Sequence, residues 1–77
     1  MSWRYQAFHQ TIPTVGGGTE DFFEVRRVYD HDDGSRYVTY HAVGASGATK
    51  AELIADLERM LRDVREYPVL EDEEYAT

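Results

Sequence analysis

The chain has no cysteine, two prolines, three histidines and only eight lysines and arginines among its 77 residues. Each shortage removes a class of explanation. Without cysteine there is neither a disulfide staple nor a thiolate metal site, which fits a reducing compartment. No stretch approaches the ~18 consecutive apolar residues of a membrane-spanning helix. The opening Met1-Ser2-Trp3-Arg4 has no leader pattern, so a cytoplasmic protein is expected, with no membrane contact. Eight bases against fifteen acids give a formal charge of −7. Direct nucleic-acid binding needs a basic footprint to neutralise phosphates and is not expected here. A basic protein partner is compatible with that charge.

What is present suffices for one small folded domain. Hydrophobic residues make up 42% and aromatics 13% of the chain, which separates it from disordered acidic chains. The strongest local signal is residues 49–66. Leu53, Ile54, Leu57, Met60, Leu61 and Val64 recur at steps of three and four, the spacing of one stripe on an α-helix. Thr49 and Glu52 have capping-box spacing, with Glu52 expected to reach back to the Thr49 amide. Pro68, with no amide hydrogen, ends the helix after Tyr67.

Ahead of the helix the pattern is that of strands. Residues 3–12 alternate, with Trp3, Tyr5 and Ala7 on one face and Arg4, Gln6 and Phe8 on the other. A loop over 14–19 follows; its Gly16, Gly17 and Gly18 lack the Gly-Lys-Ser/Thr of a phosphate-cradling loop. Residues 22–29 form the second strand, and Asp33-Gly34 marks a hairpin turn into a third over 36–43. The expected architecture is α+β: a three-stranded antiparallel sheet in the order β-β-β-α, with one C-terminal helix whose apolar stripe packs on one face. Val69 and Leu70 tuck back on the core. The domain then covers 1–70, and 71–77 is an acidic tail. Phe22, Phe23, Tyr37, Val38 and Tyr40 place apolar groups on both sheet faces, leaving the choice of buried face open. An exposed aromatic face suits a dimer or partner surface.

Motifs for chemistry are absent from this pattern. Asp30, Asp32 and Asp33 before Gly34 fall one residue short of a calcium loop, and a tyrosine stands where its glutamate belongs. His9, His31 and His41 form no metal-ligand pair. Ser46, within Gly44-Ala45-Ser46-Gly47, does not meet the nucleophile-elbow pattern. No enzyme activity, metal or cofactor is expected. Glu58 with Arg62, and Arg62 with Glu66, have the spacing of surface ion pairs on the helix.

The carboxylates are the remaining feature. Glu20 and Asp21 precede the second strand, Asp30, Asp32 and Asp33 fill the turn, and Glu71, Asp72, Glu73 and Glu74 open the tail. Acids gather in turns and tails because they are solvated there. A meander also puts the first loop and second turn at opposite ends of the second strand, where they outline a negative edge that imitates a row of phosphates. Phe22 and Tyr37 are the candidate aromatic anchors for a partner.

The Ser2-Trp3-Arg4-Tyr5 opening, the strand from Phe23 to Tyr29, the Asp-Gly turn, and the long helix running into Tyr67-Pro68-Val69-Leu70 resemble a group of small uncharacterised bacterial proteins. Their first loop is shorter. In size, acidity and layout the chain is also similar, as a class, to phage anti-CRISPR proteins against type I systems, several of which keep target DNA from the surveillance complex. That likeness implies a non-enzymatic inhibitor occupying a basic DNA-binding surface of a Cascade subunit and acting as a DNA mimic, either monomeric or a weak homodimer. The alternative expectation is a small accessory domain that homodimerises through its open sheet face.

Overall fold

The computed structural model describes residues 2–71. The elements are β1 (Ser2–Pro13), β2 (Thr19–Asp30), β3 (Arg36–Val38), α1 (Lys50–Glu66) and β4 (Leu70–Glu71). The fold is α+β with a single helix after the hairpins, as the sequence pattern predicts. The sheet differs from the expected three antiparallel strands: it has four, in the order β3-β2-β1-β4, and β4 runs parallel to β1 through Phe8–Leu70 and His9–Glu71. The helix carries the chain back to the β1 edge, and a parallel partner is what such a crossover delivers.

Strands β1 and β2 pair over their full twelve residues, from Ser2 opposite Asp30 to Pro13 opposite Thr19. The hairpin is therefore longer at both ends than the alternation suggests. β3 is shorter than expected, yet the chain still tracks β2 beyond it. Thr39 N–H donates to the Arg27 carbonyl at 3.1 Å, and Val43 N–H to that of Val25 at 2.9 Å. At Arg27 the Thr39 hydroxyl, 3.1 Å away, takes the amide that a strand carbonyl would otherwise accept. A side chain standing in for the ladder is why β3 stops there.

The register assigns the faces. Trp3, Tyr5, Ala7 and His9 share one face with Phe23, Val25, Arg27 and Tyr29. Phe8, Val28 and Leu70 form the buried apolar cluster of the other, with Val38 against it. No second layer covers this face among the described residues. Long polar side chains and the chain leaving the helix close it instead: the Arg26 guanidinium lies 4.2 Å from the Phe8 ring centroid and that of Arg4 4.8 Å from Tyr67. Gln6 Nε2 donates to the Pro68 carbonyl at 2.8 Å. Apolar stems beneath charged heads are an economical cover for a small core.

The helix is capped as its sequence implies. Thr49 Oγ1 accepts from the Glu52 amide at 3.1 Å. The Glu52 carboxylate reaches the Ala48 amide at 2.7 Å, one residue before the expected Thr49. Gly47 makes the tight entry possible. A Cβ there would sit 2.6 Å from Glu52 Cβ and from the Leu53 backbone nitrogen.

The face that α1 presents to the sheet is the main departure. Met60 and Asp63 are its buried residues, while Leu53, Ile54, Leu57 and Leu61 remain between 36% and 52% exposed. With 3.6 residues per turn, the apolar stripe points about a quarter turn away from the buried side. Polar contacts set this rotation. The Asp63 carboxylate accepts the Tyr5 N–H at 3.2 Å, and Arg59 Nη2 donates to the Trp3 carbonyl at 3.1 Å. Both backbone groups lie on the edge of β1 that β4 leaves uncovered. The Arg59 guanidinium also rests 3.6 Å from the Trp3 ring centroid. Helix side chains thus stand in for a strand along this edge, and turning the leucines inward would break those bonds.

Candidate partner-binding surface

Beyond His9 and Gln10 the β1–β2 hairpin runs free of the body as an arm. Every residue from 11 to 23 is exposed. Its tip is held by Thr14 N–H to the Gly18 carbonyl at 2.9 Å and Gly17 N–H to the Thr14 carbonyl at 3.3 Å. Gly16 and Gly17 both have positive φ, 114° and 92°, which glycine adopts without steric cost. The arm displays Phe23 at 59% and Phe22 at 46% exposure, with Ile12 and Val15 also exposed. No lysine or arginine occurs between Arg4 and Arg26, so Glu20 and Asp21 give the arm its negative charge, with no lysine or arginine on the arm to offset it.

His9 fastens the base of the arm. Its Nδ1 lies 2.5 Å from a Glu71 carboxylate oxygen and its Nε2 2.9 Å from Asp21, and its ring stacks on Phe23 at 4.7 Å. The Glu71 hydrogen bond, then that to Asp21, raises the His9 pKa above its ordinary value. Two carboxylates on opposite nitrogens of one imidazole do not converge on a point. Among the described residues no group of three His, Asp or Glu is placed to hold a metal ion.

The second acidic group lies at the other end of β2. Asp30 pairs with Arg4 and with Arg36 Nε, the latter at 3.1 Å; hydrogen bonding to these, Arg4 first, lowers its pKa. Asp33 accepts from the Ser35 hydroxyl at 2.6 Å and the Ser35 amide at 2.9 Å, and these bonds hold its carboxyl below the usual range. Gly34, with φ 90°, completes the turn, and Asp32 is exposed beside it. Tyr37, 47% exposed, stands near Tyr29 with ring centroids 6.1 Å apart.

The candidate residues therefore fall into two groups. Glu20, Asp21, Phe22 and Glu71 gather at the arm and its base; Asp30, Asp32, Asp33 and Tyr37 gather at the turn. The nine residue steps between Asp21 and Asp30 span roughly 30 Å of strand. Between the groups lie Arg27 and Arg26, the latter buried and ion-paired with Glu24, so the negative edge expected along β2 is not continuous. Asp72, Glu73 and Glu74 lie outside the described residues. Sequence reasoning missed Phe23, Ile12, Val15 and the His9 clasp as parts of the surface. A signal for the arm existed: two adjacent aromatics inside a base-free stretch, where one face of a lone ribbon has nothing to pack on.

At the helix the polar side chains serve structure. Tyr5 Oη donates to Asp56 at 2.6 Å and accepts from Arg27 Nη2 at 3.1 Å, and Asp56 also accepts the Ser46 amide at 3.0 Å. Burial and the Asp56 bond raise the Tyr5 pKa; the Tyr5 and Ser46 bonds lower that of Asp56. Arg62, expected to pair with Glu58 and Glu66, instead donates to Asp63 at 3.2 Å. No helix among the described residues is long and apolar enough to cross a membrane.

No protein-family model, curated protein or solved structure matches the chain.

Proposed function

We propose that this is a non-enzymatic acidic binding protein that occupies a basic, nucleic-acid-binding surface of a partner protein, with the projecting arm as its contact element. One observation carries the reading. Phe22 and Phe23 are exposed next to Glu20 and Asp21 on a ribbon with no lysine or arginine. Aromatics supply the anchors that desolvate at an interface core, and the carboxylates select a basic partner and speed its encounter. The exposed Asp32, roughly 30 Å away along β2, offers a second and weaker point of attachment. In the version suggested by the class likeness to anti-CRISPR proteins, the partner is a DNA-binding subunit of a type I Cascade complex, and occupancy blocks recruitment of target DNA. The alternative, a domain pairing through its open sheet face, has less support. That face is closed by Arg26 over Phe8 and by Arg4 against Tyr67, leaving Ile12 and Phe22 as the apolar groups on the arm.

The test is competition for target DNA on a purified type I complex. Wild-type protein displaces the DNA, more effectively at 50 mM than at 300 mM salt, whereas E20K/D21K and F22S/F23S each weaken displacement at least tenfold. Displacement unaffected by either pair of substitutions removes the arm from the mechanism. No displacement by wild-type protein at any salt concentration removes this partner.

A further inference from the structure

We infer that the partner's contact is an extended basic segment, which adds as an antiparallel strand to the free outer edge of β2 in the arm; this rests on the arm being the contact element proposed above.

Backbone hydrogen bonds fix which edge is free. Thr39 N–H donates to the Arg27 carbonyl and Val43 N–H to that of Val25, so the odd-numbered residues of β2 present their backbone groups to the β3 side. The strand period of two turns Phe23, Asp21 and Thr19 the same way. Among the described residues no backbone group meets these three: β3 ends at Val38, and the chain beside β2 makes its last bond at Val43. Such an edge is a template for another strand. The opposite edge of the arm is a poorer one. Trp3 and Tyr5 turn their carbonyl and amide outward along β1, which places Thr11 and Pro13 on that side, and Pro13 has no N–H to donate.

The residues along the free edge select its occupant. Phe23 and Asp21 lie on one face of the ribbon, Phe22 and Glu20 on the other. Each face therefore offers one aromatic and one carboxylate. Asp21 lies 2.9 Å from His9 yet stays 69% exposed, which leaves it room for a second cation. An antiparallel strand fits with two apolar residues opposite Phe23 and Phe22, followed by two basic residues opposite Asp21 and Glu20. A second copy of this chain does not fit. Centred on Phe22 it sets Glu20 against Glu24, and centred on Glu20 or Asp21 it sets that carboxylate against its own copy, which is repulsive. Centred on Phe23 it brings Asp21 opposite Val25, whose carbonyl Val43 already holds.

The probe is the peptide acetyl-Val-Ile-Lys-Arg-Thr-amide, titrated into isotope-labelled protein at about 50 mM salt and followed by the protein's amide NMR signals. Wild-type protein saturates below about 2 mM peptide, a weak affinity that suits so short a strand. The Asp21 and Phe23 amides gain protection from hydrogen exchange, whereas those of Glu20 and Phe22, which face β1, change little. Methylating the peptide's valine and lysine nitrogens, which face the arm, weakens binding about tenfold or more, and methylating those of isoleucine and arginine, which face away, by less than about threefold. Both modified peptides keep the same charge and side chains. E20K/D21K, shown to be folded by circular dichroism, loses the unmodified peptide. Absence of saturation with wild-type protein overturns the inference, as does undiminished binding to E20K/D21K. Two methylated peptides that behave alike, whether both bind or both fail, overturn strand addition. They leave the arm's role standing, because displacement of target DNA by E20K/D21K and F22S/F23S decides that separately.

Discussion

Replacing Asp63 with alanine tests the logic that joins the helix to the sheet. Asp63 is 4% exposed and its carboxylate accepts the Tyr5 amide of β1. Tyr5 is fully buried, so its amide would lose its acceptor where water cannot readily replace it, at a cost of about 1–3 kcal/mol. The Arg59 pair, 3.5 Å long with Arg59 partly exposed, adds at most ~1 kcal/mol after solvent screening. The sum, about 1–4 kcal/mol, is a substantial share of the roughly 4–11 kcal/mol expected for a domain of this length. Each kcal/mol corresponds to about 4–8 °C in a domain of this size, so D63A should melt roughly 4–30 °C lower in a thermal unfolding scan. D63N keeps an acceptor oxygen for Tyr5 and should lose about 1 kcal/mol or less, which separates the hydrogen bond from the charge. A melting temperature for D63A within about 3 °C of wild type would refute the argument that polar contacts hold the helix in its orientation.

Two further predictions concern the loop into the helix and the arm. Gly47→Ala drives a Cβ to 2.6 Å from the Leu53 nitrogen and should cost about 1–3 kcal/mol in chemical denaturation, whereas Gly44→Ala, with nothing within 4 Å, should change stability by less than about 0.5 kcal/mol. His9, with its pKa raised by Glu71 and Asp21, contributes stability that is fully present below its unfolded pKa of about 6.5 and fades as pH rises through the higher folded value. The melting-temperature gap between wild type and H9Q should therefore be largest in mild acid and shrink above neutrality. An imidazole that titrates by NMR at or below the ordinary histidine value counts against the clasp.

The comparison between sequence and structure divides along the range of the interactions. The helix was legible because its signals are local: period, the Thr49 cap and the Pro68 stop all act within a few residues. The first two strands were legible from alternation and from the glycine their turns require. β4 was not, since two residues carry no period and its pairing depends on where the helix returns the chain. Asp32 and Asp33 lie in the turn as expected, but Glu20 and Asp21, expected ahead of the second strand, belong to β2, Glu71 belongs to β4, and the partners of these acids were not foreseen. Asp30 is engaged by Arg4 and Arg36, and Asp21 by His9, through strand register that composition does not encode.

By itself the sequence determined a small acidic α+β chain with one amphipathic helix, long hairpins and no recognisable catalytic motif. Only the tertiary structure decided which way that helix faces and how far the first hairpin projects. Hydrophobic periodicity says that a stripe exists and that burying it is favourable, but it names no partner for the stripe. The unpaired edge of β1 offered backbone groups that Asp63 and Arg59 could satisfy, and directional bonds at a buried edge outweighed non-directional burial of four leucine and isoleucine side chains. Leu53, Ile54, Leu57 and Leu61, read as core, became surface, and of that stripe Met60 alone is buried.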